Sequence, residues 1–465
     1  MDDEIFSAKV LSKLPLADAV WRILHFTLSD SWLQDLWSRR RGRCYEKVLE
    51  FSTLARLVGE ALTQHGGSGR QAFERGRESN TLPVAISSAF DKLANLPVPL
   101  SENLLEEGAQ RLTELLPEGS AVDPFPLPAC WNGQEVFGLD GKAVKHVKRL
   151  LKRLRGLQAG ILGARASVGL NLRTGMAVGM VGDLDGEAGE GALTERLLSN
   201  IVAAADSKPW VVVLDRLYCN LDFPRLVLAA GGHFLIRYCS NTHFVADPTR
   251  PAQESRDRQG QRIVQEWGRL GKSAGSRAVY VRRITLHLAN GKVISVVTDL
   301  LDEVAYPAED LLDTYNKRWG IERVFHQITD VFSLKNLIGT SPRAVLFQLS
   351  FCLLIYNTLQ ILRTHLASHQ ECEAERISNE KLFYDLKREL VSVDRLVEHE
   401  SLLGLLGQAP ASGELRGYLQ ANLRGVWSNR WWKAPSSRGG GHRKVKTRVL
   451  GNHTSTYRVL QRAKT

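Results

Sequence analysis

Residues 315–326, YNKRWGIERVFH, predict a helix that carries reactive side chains on one face. The preceding residues 307–310, PAED, favour a helix start, because proline suits the first turn and acids suit the positive end of the helix dipole. Tyr315, Arg318 and Glu322 are spaced by three and four positions, so they project from the same side of a helix. A carboxylate beside a guanidinium and a phenol suits a metal ion next to a phosphate.

Two predicted strands end in aspartate and provide further candidate metal ligands. Residues 134–140, QEVFGLD, form a short strand that ends at Asp140. Residues 210–215, WVVVLD, form an apolar run of the kind found in strands buried on both faces, and it ends at Asp215. Ligand sites in open α/β sheets gather at such carboxyl ends. Together with Glu322, the two aspartates can hold two divalent ions for chemistry on a phosphodiester.

Asp140, Asp215 and Glu322 occur in this order, with Tyr-x2-Arg-x3-Glu around the last. In this they resemble the DDE transposases of bacterial insertion sequences. The similarity is greatest to insertion-sequence family four, named for a Tyr-Arg-Glu-Lys signature, and runs from about residue 140 to 362. The position seven beyond the glutamate, where that family has lysine, is Thr329, and the nearest lysine is Lys335.

The resemblance implies a function, a cofactor and partners. We expect a transposase that binds the terminal inverted repeats of its element, cleaves the ends and transfers the strands into target DNA. Asp140, Asp215 and Glu322 would be catalytic and would bind two Mg²⁺ ions, with Mn²⁺ able to substitute. Tyr315, Arg318 and Lys335 would contact DNA. The partners would be double-stranded DNA, at the element ends and the target, and a second copy of the chain in a homodimeric synaptic complex.

The resemblance also implies an α/β fold with a ribonuclease-H-like catalytic core interrupted by a β-strand insertion. A helical N-terminal DNA-binding domain would cover residues 1–125, and prolines mark a linker near its end. The core would comprise residues 126–230 and 301–375, separated by a β-rich insertion at 231–300. Residues 376–465 would form a helical and basic C-terminal region. From periodicity alone, only a helical segment followed by a mixed α/β domain is predicted.

Composition bounds the class of protein. The 465 residues carry a net charge of +11, which favours a polyanionic partner because cations add counterion-release affinity for nucleic acid. The six cysteines show no paired metal spacing, so reduced thiols are expected. The acidic N-terminus lacks the features of a signal peptide. We therefore expect a bacterial cytoplasmic protein associated with the nucleoid and not with a membrane.

Residues 142–155 contain seven basic side chains and no acid. On a helix these fall on one arc, with apolar residues on the other. A solvated surface helix, a membrane-bound helix or a DNA-binding helix all fit this pattern. Because the segment directly follows Asp140, we favour contact with the DNA backbone through Lys145, Lys148 and Arg149.

The next segments predict strands and one polar loop. Residues 164–182 alternate around a turn at 173–175 and predict a β-hairpin. The acids of residues 183–190 do not fit an EF-hand, so a solvated loop is expected. Further strands are predicted at 233–237, 278–284 and 292–298, with a polar stretch at 247–275. In that stretch Trp267 is a candidate for stacking on a displaced DNA base, although core packing is the more common role of such a residue.

Two C-terminal features complete the prediction. Residues 344–362 carry no charge over about a membrane-spanning length, but polar residues interrupt them, so a buried helix is expected. The last 43 residues contain eleven Lys or Arg and no acid, with Trp427, Trp431 and Trp432 grouped. Either a solvated tail or a segment that contacts DNA or a partner fits this composition.

Two alternatives to an active transposase remain open. One is a ribonuclease-H-like nuclease that cuts DNA without joining it. The other is a transposase-derived DNA-binding protein with an inactive site, for which Thr329 in place of the family lysine is the relevant sign. Each acid taken alone also fits an ordinary structural role, because strand-end aspartates cap turns and helix glutamates pair with arginines.

Overall fold

Helices occupy the N-terminal quarter of the chain. The computed structural model describes residues 2–44, 46–119, 122–144, 154–155, 157, 160–271, 278–332, 334–397, 399–433 and 453–462. The first helices are α1 Asp2–Leu11, α2 Pro15–Thr27, α3 Asp30–Arg40, α4 Phe51–Thr63, α5 Gly69–Glu78, α6 Ile86–Asn95 and α7 Val98–Thr113. In α2 to α7 most apolar residues recur every three or four positions and are buried. The prediction of a helical segment here is confirmed.

Strands and helices then alternate. The strands are β1 Glu135–Ala143, β2 Gly160–Leu162, β3 Arg165–Asn171, β4 Ala177–Asp183, β5 Trp210–Leu214, β6 His233–Arg237, β7 Phe244–Ala246, β8 Gln253–Arg256, β9 Arg262–Leu270, β10 Val279–His287, β11 Val293–Thr298 and β12 His453–Ser455. The helices are α8 Glu190–Ala205, α9 Asp222–Ala229, α10 Ala308–Lys317, α11 Trp319–Asp330, α12 Pro342–His369, α13 Asn379–Leu396, α14 His399–Leu406, α15 Ser412–Asn422 and α16 Thr456–Gln461.

One mixed sheet connects most of the strands in the described residues. Its order is β4-β3-β1-β5-β6-β11-β10-β9-β7, and β8 pairs with β9. β1 is antiparallel to β3 and parallel to β5, which is parallel to β6. β3 and β4 form the predicted hairpin, in which Gly175 adopts a φ of +68° that disfavours other residues. The predicted hairpin and the predicted strand before Asp215 are confirmed.

The two faces of β1 contact different helices. Phe137 and Leu139 pack with the apolar residues of α8. The alternate positions face the other side, where a Cβ on Gly138 would lie 3.9 Å from Arg318 Cγ. There α11 contacts β1, and α12 contacts both α11 and β4. The strand therefore separates two layers, and its side chains alternate between them.

Helix α12 contains the uncharged segment 344–362 that is predicted from the sequence to form a buried helix. By length and composition it is the one helix among the described residues that could cross a membrane, and its most apolar segment is entirely buried within the protein. Its polar residues bind neighbouring backbone: Asn357 bridges the N–H and C=O of Ala177 at 2.8 and 2.7 Å, and Tyr356 donates to the carbonyl of Gly175. The prediction of a buried helix is confirmed.

The predicted β insertion is more extensive than expected. β6, β10 and β11 lie where the sequence predicts strands. The stretch expected to be polar also contains β9, which pairs with β10 along its length. In β9, Ile263, Gln265 and Trp267 are buried at every second position. This alternation is a strand signal that the many polar residues obscured.

The described C-terminal residues pack against the rest of the protein. Trp431 is buried and donates from its indole to Asp385 of α13 at 2.8 Å. Trp427 packs against both Trp431 and Trp432. Further on, β12 pairs with β2 in parallel. Residues 434–452, which hold much of the predicted basic tail, lie outside the described residues.

Candidate active site

Asp140 lies on β1 beside the point where that strand separates from β5. The pairing of β1 with β5 ends at Gly138 opposite Val213, whereas the pairing with β3 continues to Ala143. The prediction that the strand ends at Asp140 is therefore wrong, because β3 continues to provide hydrogen bonds. Asp140 nevertheless lies at the carboxyl end of the parallel β1–β5 pair, where ligand sites form in open sheets.

Asp215 directly follows β5, as predicted, and precedes a short 3₁₀ turn at Arg216–Tyr218. Because β1 and β5 are parallel neighbours, Asp215 and Asp140 lie at the same end of the sheet. Within the described part of the chain, the carboxylate of Asp215 accepts no hydrogen bond. The residue is partly exposed.

Arg318 connects the helical segment to the strand. The predicted single helix is interrupted there, because α10 ends at Lys317 and α11 begins at Trp319. The Arg318 side chain is 3% exposed; its Nη2 lies 3.0 Å from Glu322 Oε1 and its Nη1 3.7 Å from Asp140 Oδ2. We call Asp140, Asp215, Arg318 and Glu322 the Arg318 cluster. The structure thus brings together the predicted Arg318, Glu322 and Asp140.

The charges of the Arg318 cluster influence one another. Burial raises the pKa of Asp140 to about 6; Arg318 and the Gly141 N–H oppose the rise, and Glu190 and Glu322 add to it. Burial alone would lower the pKa of Arg318, but the surrounding Tyr315, Asp140, Glu322 and Asp215 raise it above its ordinary value. Burial is therefore the main reason that Asp140 holds its proton more tightly than usual, and a titratable group perturbed in this way is typical of a functional site.

The donor set of the Arg318 cluster fits a hard divalent cation. Two carboxylates, from β1 and α11, pair with Arg318, a third follows β5 at the same end of the sheet, and carboxylate oxygens are the ligands that Mg²⁺ prefers. Among the described residues, no three acidic, histidine or cysteine side chains are close enough together to form a ready metal site. Arg318 lies between Asp140 and Glu322, so it occupies part of the space that a cation would need.

Tyr315 and Trp267 are both buried. Tyr315 is 2% exposed, and its ring lies 5.8 Å from the guanidinium of Arg318. Its hydroxyl cannot reach a DNA phosphate without a change in its surroundings. Trp267 is 0% exposed, Arg250 covers its ring at 3.7 Å, and its indole N–H donates to the Leu301 carbonyl. No ring face is accessible for a base, so core packing accounts for Trp267 and the stacking prediction is wrong in this conformation.

The remaining predicted DNA contacts all follow Asp140 in the sequence. Lys335 Nζ lies 3.5 Å from Asp330 Oδ1 at the protein surface. Lys145, Lys148 and Arg149 of the predicted basic helix lie outside the described residues. Lys142, which that helix was expected to include, belongs to β1 instead, because β3 pairs with β1 as far as Ala143.

A second polar cluster on the other face of β1 was missed by the sequence analysis. Glu190 Oε2 accepts from Arg165 at 3.0 Å, and its Oε1 accepts from the Tyr218 hydroxyl at 2.9 Å. Thr194 binds both Tyr218, at 2.8 Å, and Ser167, at 2.7 Å. We call Arg165, Ser167, Glu190, Thr194 and Tyr218 the Glu190 cluster. The expectation that Glu190 belongs to a solvated loop is wrong, because it begins α8 directly above Gly141.

Gly141 separates the two clusters. A Cβ at this position would lie 2.2 Å from the carboxyl carbon of Glu190, so any other residue would displace that side chain. The requirement for glycine immediately after Asp140 is a sequence signal that could have indicated close packing at this point. It did not identify the partner, which is 49 positions away in the sequence.

Comparisons with known proteins identify chains that are similar to this one. A Sinorhizobium fredii protein named "Putative transposase y4zB" is 25% identical over 150 residues, which are 32% of this chain and 41% of that protein. The match therefore spans less than half of the relative's length. The cryo-electron microscopy structure of a piggyBac transposase synaptic complex with hairpin DNA covers 94% of this chain and 89% of its own, with 11% identity. Its TM-score of 0.39 is too low to support a conclusion about this chain.

The family described as "Transposase DDE domain" matches residues 119–358. The matched range extends over more than half of the chain. It contains β1 with Asp140, the end of β5 with Asp215, and α11 with Glu322. The chain belongs to this family of transposases.

Proposed function

We propose that the protein binds the terminal inverted repeats of its own insertion sequence, cleaves the element ends with the help of divalent metal ions, and joins them to target DNA. The observation that carries this proposal is the Arg318 cluster, in which a buried arginine contacts Asp140 and Glu322, and Asp215 follows the strand next to Asp140 at the same end of the sheet. Asp140 and Glu322 are 182 positions apart in the sequence, so the fold alone brings them to one arginine.

The strand order supports a ribonuclease-H-like core. The order β4-β3-β1-β5-β6, with an antiparallel half and a parallel half, puts Asp140 and Asp215 on adjacent parallel strands. Helix α11, which carries Glu322, contacts β1. The spacing of Tyr315, Arg318 and Glu322 supports membership of the Tyr-Arg-Glu-Lys branch of insertion-sequence family four.

Asp140, Asp215 and Glu322 would hold two Mg²⁺ ions, or Mn²⁺ in their place. When bound, such ions activate the attacking hydroxyl and stabilise the leaving oxygen at phosphorus. Asp140 contributes as a carboxylate, so it must release its proton, which its pKa of about 6 permits at neutral pH. Arg318 compensates the charge of Asp140 and Glu322 and presents a guanidinium that can bind oxygens of the scissile phosphate.

The wider assembly is also proposed. The partners are double-stranded DNA at the element ends and at the target, and two copies of the chain would pair the two ends in a synaptic complex. Tyr315, Lys335, Lys145, Lys148 and Arg149 remain predicted DNA contacts. The site of action would be the bacterial cytoplasm, at the nucleoid.

The test uses a labelled duplex carrying the terminal repeat that flanks the protein's own coding region. The protein is incubated with it in Mg²⁺ or in EDTA, beside an Asp215→Ala variant. We expect nicking at the element end that requires the metal ion and is absent from the variant. A second labelled duplex, offered as target, reports strand transfer.

Two other outcomes would replace the proposal. Cleavage without any joined product would favour a nuclease that cuts without strand transfer. Tight binding to the repeat without cleavage would favour an inactive, transposase-derived DNA-binding protein. The second outcome has one structural observation in its favour, since Arg318 lies between two of the three acids.

A further inference from the structure

A cavity of about 300 Å³ lies beside the Arg318 cluster. Residues 141–144 line it, together with Arg165, Thr329 and Leu334. Two of the lining side chains, Lys142 and Arg165, are cationic. The cavity begins one residue beyond Asp140, so a DNA strand whose scissile phosphate lies at the acids would bring a neighbouring phosphate close to it.

Lys142 and Asp140 are two positions apart on β1 and face the same side of the sheet. The Lys142 ammonium donates to Thr329 Oγ1 at 2.9 Å and lies 3.4 Å from the carbonyl oxygen of Phe325. The Thr329 hydroxyl itself donates to that carbonyl at 2.6 Å, so its lone pairs are oriented to accept from Lys142. The ammonium group is thereby fixed on α11.

Thr329 lies two helical turns beyond Glu322, so both project from the same side of α11. It is also the position at which the signature has lysine and this chain does not. The hydrogen bond holds the ammonium nitrogen of Lys142 at the hydroxyl of Thr329. The ammonium group is therefore close to the region where a lysine at position 329 would place its own charge. Strand β1 thus provides an ammonium group beside a position at which α11 has no lysine.

We propose that Lys142, positioned by Thr329, binds the DNA phosphate next to the scissile phosphate. This inference rests on the proposed function, because it assumes that the acids act on DNA. The chemistry suits a lysine, which contacts phosphate as a compact charge with three N–H donors. Arg165 lines the same cavity but binds Glu190 and the carbonyl of Ala188, so it supports the wall of the cavity.

The first measurement is the salt dependence of binding to the element-end duplex in EDTA, where no cleavage occurs. Loss of one phosphate contact lowers the slope of log K against log salt by about 1. Lys142→Met should therefore weaken binding and reduce the slope by that amount. The matched control is Lys387→Met, in which a half-buried lysine of α13 is changed in the same way and the cleavage rate should be retained.

The second measurement relocates the charge. Lys142→Met should slow Mg²⁺-dependent cleavage roughly tenfold or more, as expected for a lost hydrogen bond to a charged group. The double variant Lys142→Met with Thr329→Lys should recover most of the rate, because the lysine introduced on α11 replaces the ammonium group that β1 has lost. Thr329→Val, which removes only the orienting hydroxyl, should reduce the rate less than Lys142→Met.

The third measurement identifies the phosphate. Duplexes with one neutral methylphosphonate linkage at successive positions are bound to the wild type and to Lys142→Met. The wild type should lose affinity when the linkage next to the scissile bond is neutral, and Lys142→Met should not respond to that substitution. A response at the same linkage that disappears in Lys335→Met instead would assign the phosphate to Lys335 and overturn the proposal.

The outcomes separate this proposal from the proposed function. If the wild type binds the repeat but never cleaves it, the function fails, while the salt slope and the methylphosphonate data still test Lys142. If the wild type cleaves and Lys142→Met cleaves equally well, the Lys142 proposal fails alone. Thermal unfolding of each variant shows whether it is folded, and a Lys142→Met protein that fails to fold is replaced by Lys142→Gln in all three measurements.

Discussion

The two faces of β1 carry clusters that share one motif, an arginine paired with a carboxylate, but differ in their hydrogen bonding. Each contains a carboxylate paired with a buried or half-buried arginine, and each includes or adjoins a tyrosine. In the Glu190 cluster both carboxylate oxygens of Glu190 accept hydrogen bonds, and the chain of partners continues through Tyr218 and Thr194. In the Arg318 cluster one guanidinium pairs with two carboxylates, its distance to Asp140 is 3.7 Å, and the carboxylate of Asp215 accepts no hydrogen bond from the described residues.

The difference shows that composition alone does not separate a structural cluster from a reactive one. A buried carboxylate whose oxygens are all occupied is stabilised and has no capacity for a ligand. In the Arg318 cluster Asp215 keeps that capacity, because its carboxylate accepts no hydrogen bond from the described residues. Burial is the largest cause of the raised pKa of Asp140, and the neighbouring acids Glu190 and Glu322 add to it. We therefore expect changes in the Arg318 cluster to affect activity and changes in the Glu190 cluster to affect stability.

The largest effect should come from Asp215→Asn. It removes a carboxylate that has no structural partner among the described residues, so cleavage should fall roughly a thousandfold or more while the melting temperature stays close to that of the wild type. Cleavage of the element-end duplex and thermal unfolding are the measurements. Asp222→Asn, which changes an exposed aspartate seven residues later, is the control and should keep the wild-type rate. A large drop in melting temperature for Asp215→Asn would contradict the comparison.

Asp140→Asn should stabilise the metal-free protein. The folded protein holds the Asp140 proton more tightly than the unfolded chain, because the pKa is raised from 3.8 to about 6. The associated stability is complete below pH 4 and is lost as the pH rises through 6. At pH 8 in EDTA the asparagine variant should unfold with a free energy higher by up to about 3 kcal/mol, and the advantage should vanish near pH 4. Urea unfolding at the two pH values measures it, and equal stability at pH 8 would refute the explanation.

Glu190→Gln should have the opposite sign. It removes the charge that pairs with Arg165 and weakens the bond from Tyr218, so the free energy of unfolding should fall by about 2 kcal/mol. The loss should persist across neutral pH. The folded Glu190→Gln protein should cleave at a rate within roughly tenfold of the wild-type rate. Urea unfolding and the cleavage assay are made on the same preparation. A variant with wild-type stability and no cleavage would move Glu190 into the active site.

Tyr218→Phe should have the smallest effect. It keeps the ring packed against Phe223, at a centroid distance of 5.0 Å, and removes one hydroxyl from the Glu190 cluster. We expect a loss of about 1 kcal/mol in unfolding free energy and an unchanged cleavage rate. Comparison with the Glu190→Gln, Tyr218→Phe double variant tests whether both changes act through the same hydrogen bond. If they do, the double variant loses less unfolding free energy than the sum of the two single losses.

The sequence predicted the elements whose signal is local. Patterns that do not depend on distant residues predict three of these elements. They are the apolar strand before Asp215, the hairpin around Gly175 and the buried helix α12. The pairing of Arg318 with Glu322 was predictable for the same reason, because four positions on a helix place the side chains together.

The misses share a different cause. Lys142 belongs to a strand because β3 pairs with it, and residues 142–155 give no sign of that partner. Glu190 was assigned to a loop because its contacts with Arg165 and Tyr218 come from other elements. Trp267 was considered a candidate for stacking on a DNA base, since the polar residues around it obscured the alternation of buried and exposed residues in β9. In each of these segments tertiary contacts override local pattern.

Helix α12 has a consequence for how the chain is made. It contacts α2, α4, α6 and α7, yet roughly 230 residues separate its start from the end of α7. At translation rates of about 5–20 residues per second, the N-terminal helices wait some tens of seconds before the helix that covers their apolar sides leaves the ribosome. During that interval the nascent chain presents an unfinished hydrophobic surface, which chaperones bind. The yield of folded protein in the cell should therefore depend on chaperone supply and on the speed of translation between α7 and α12.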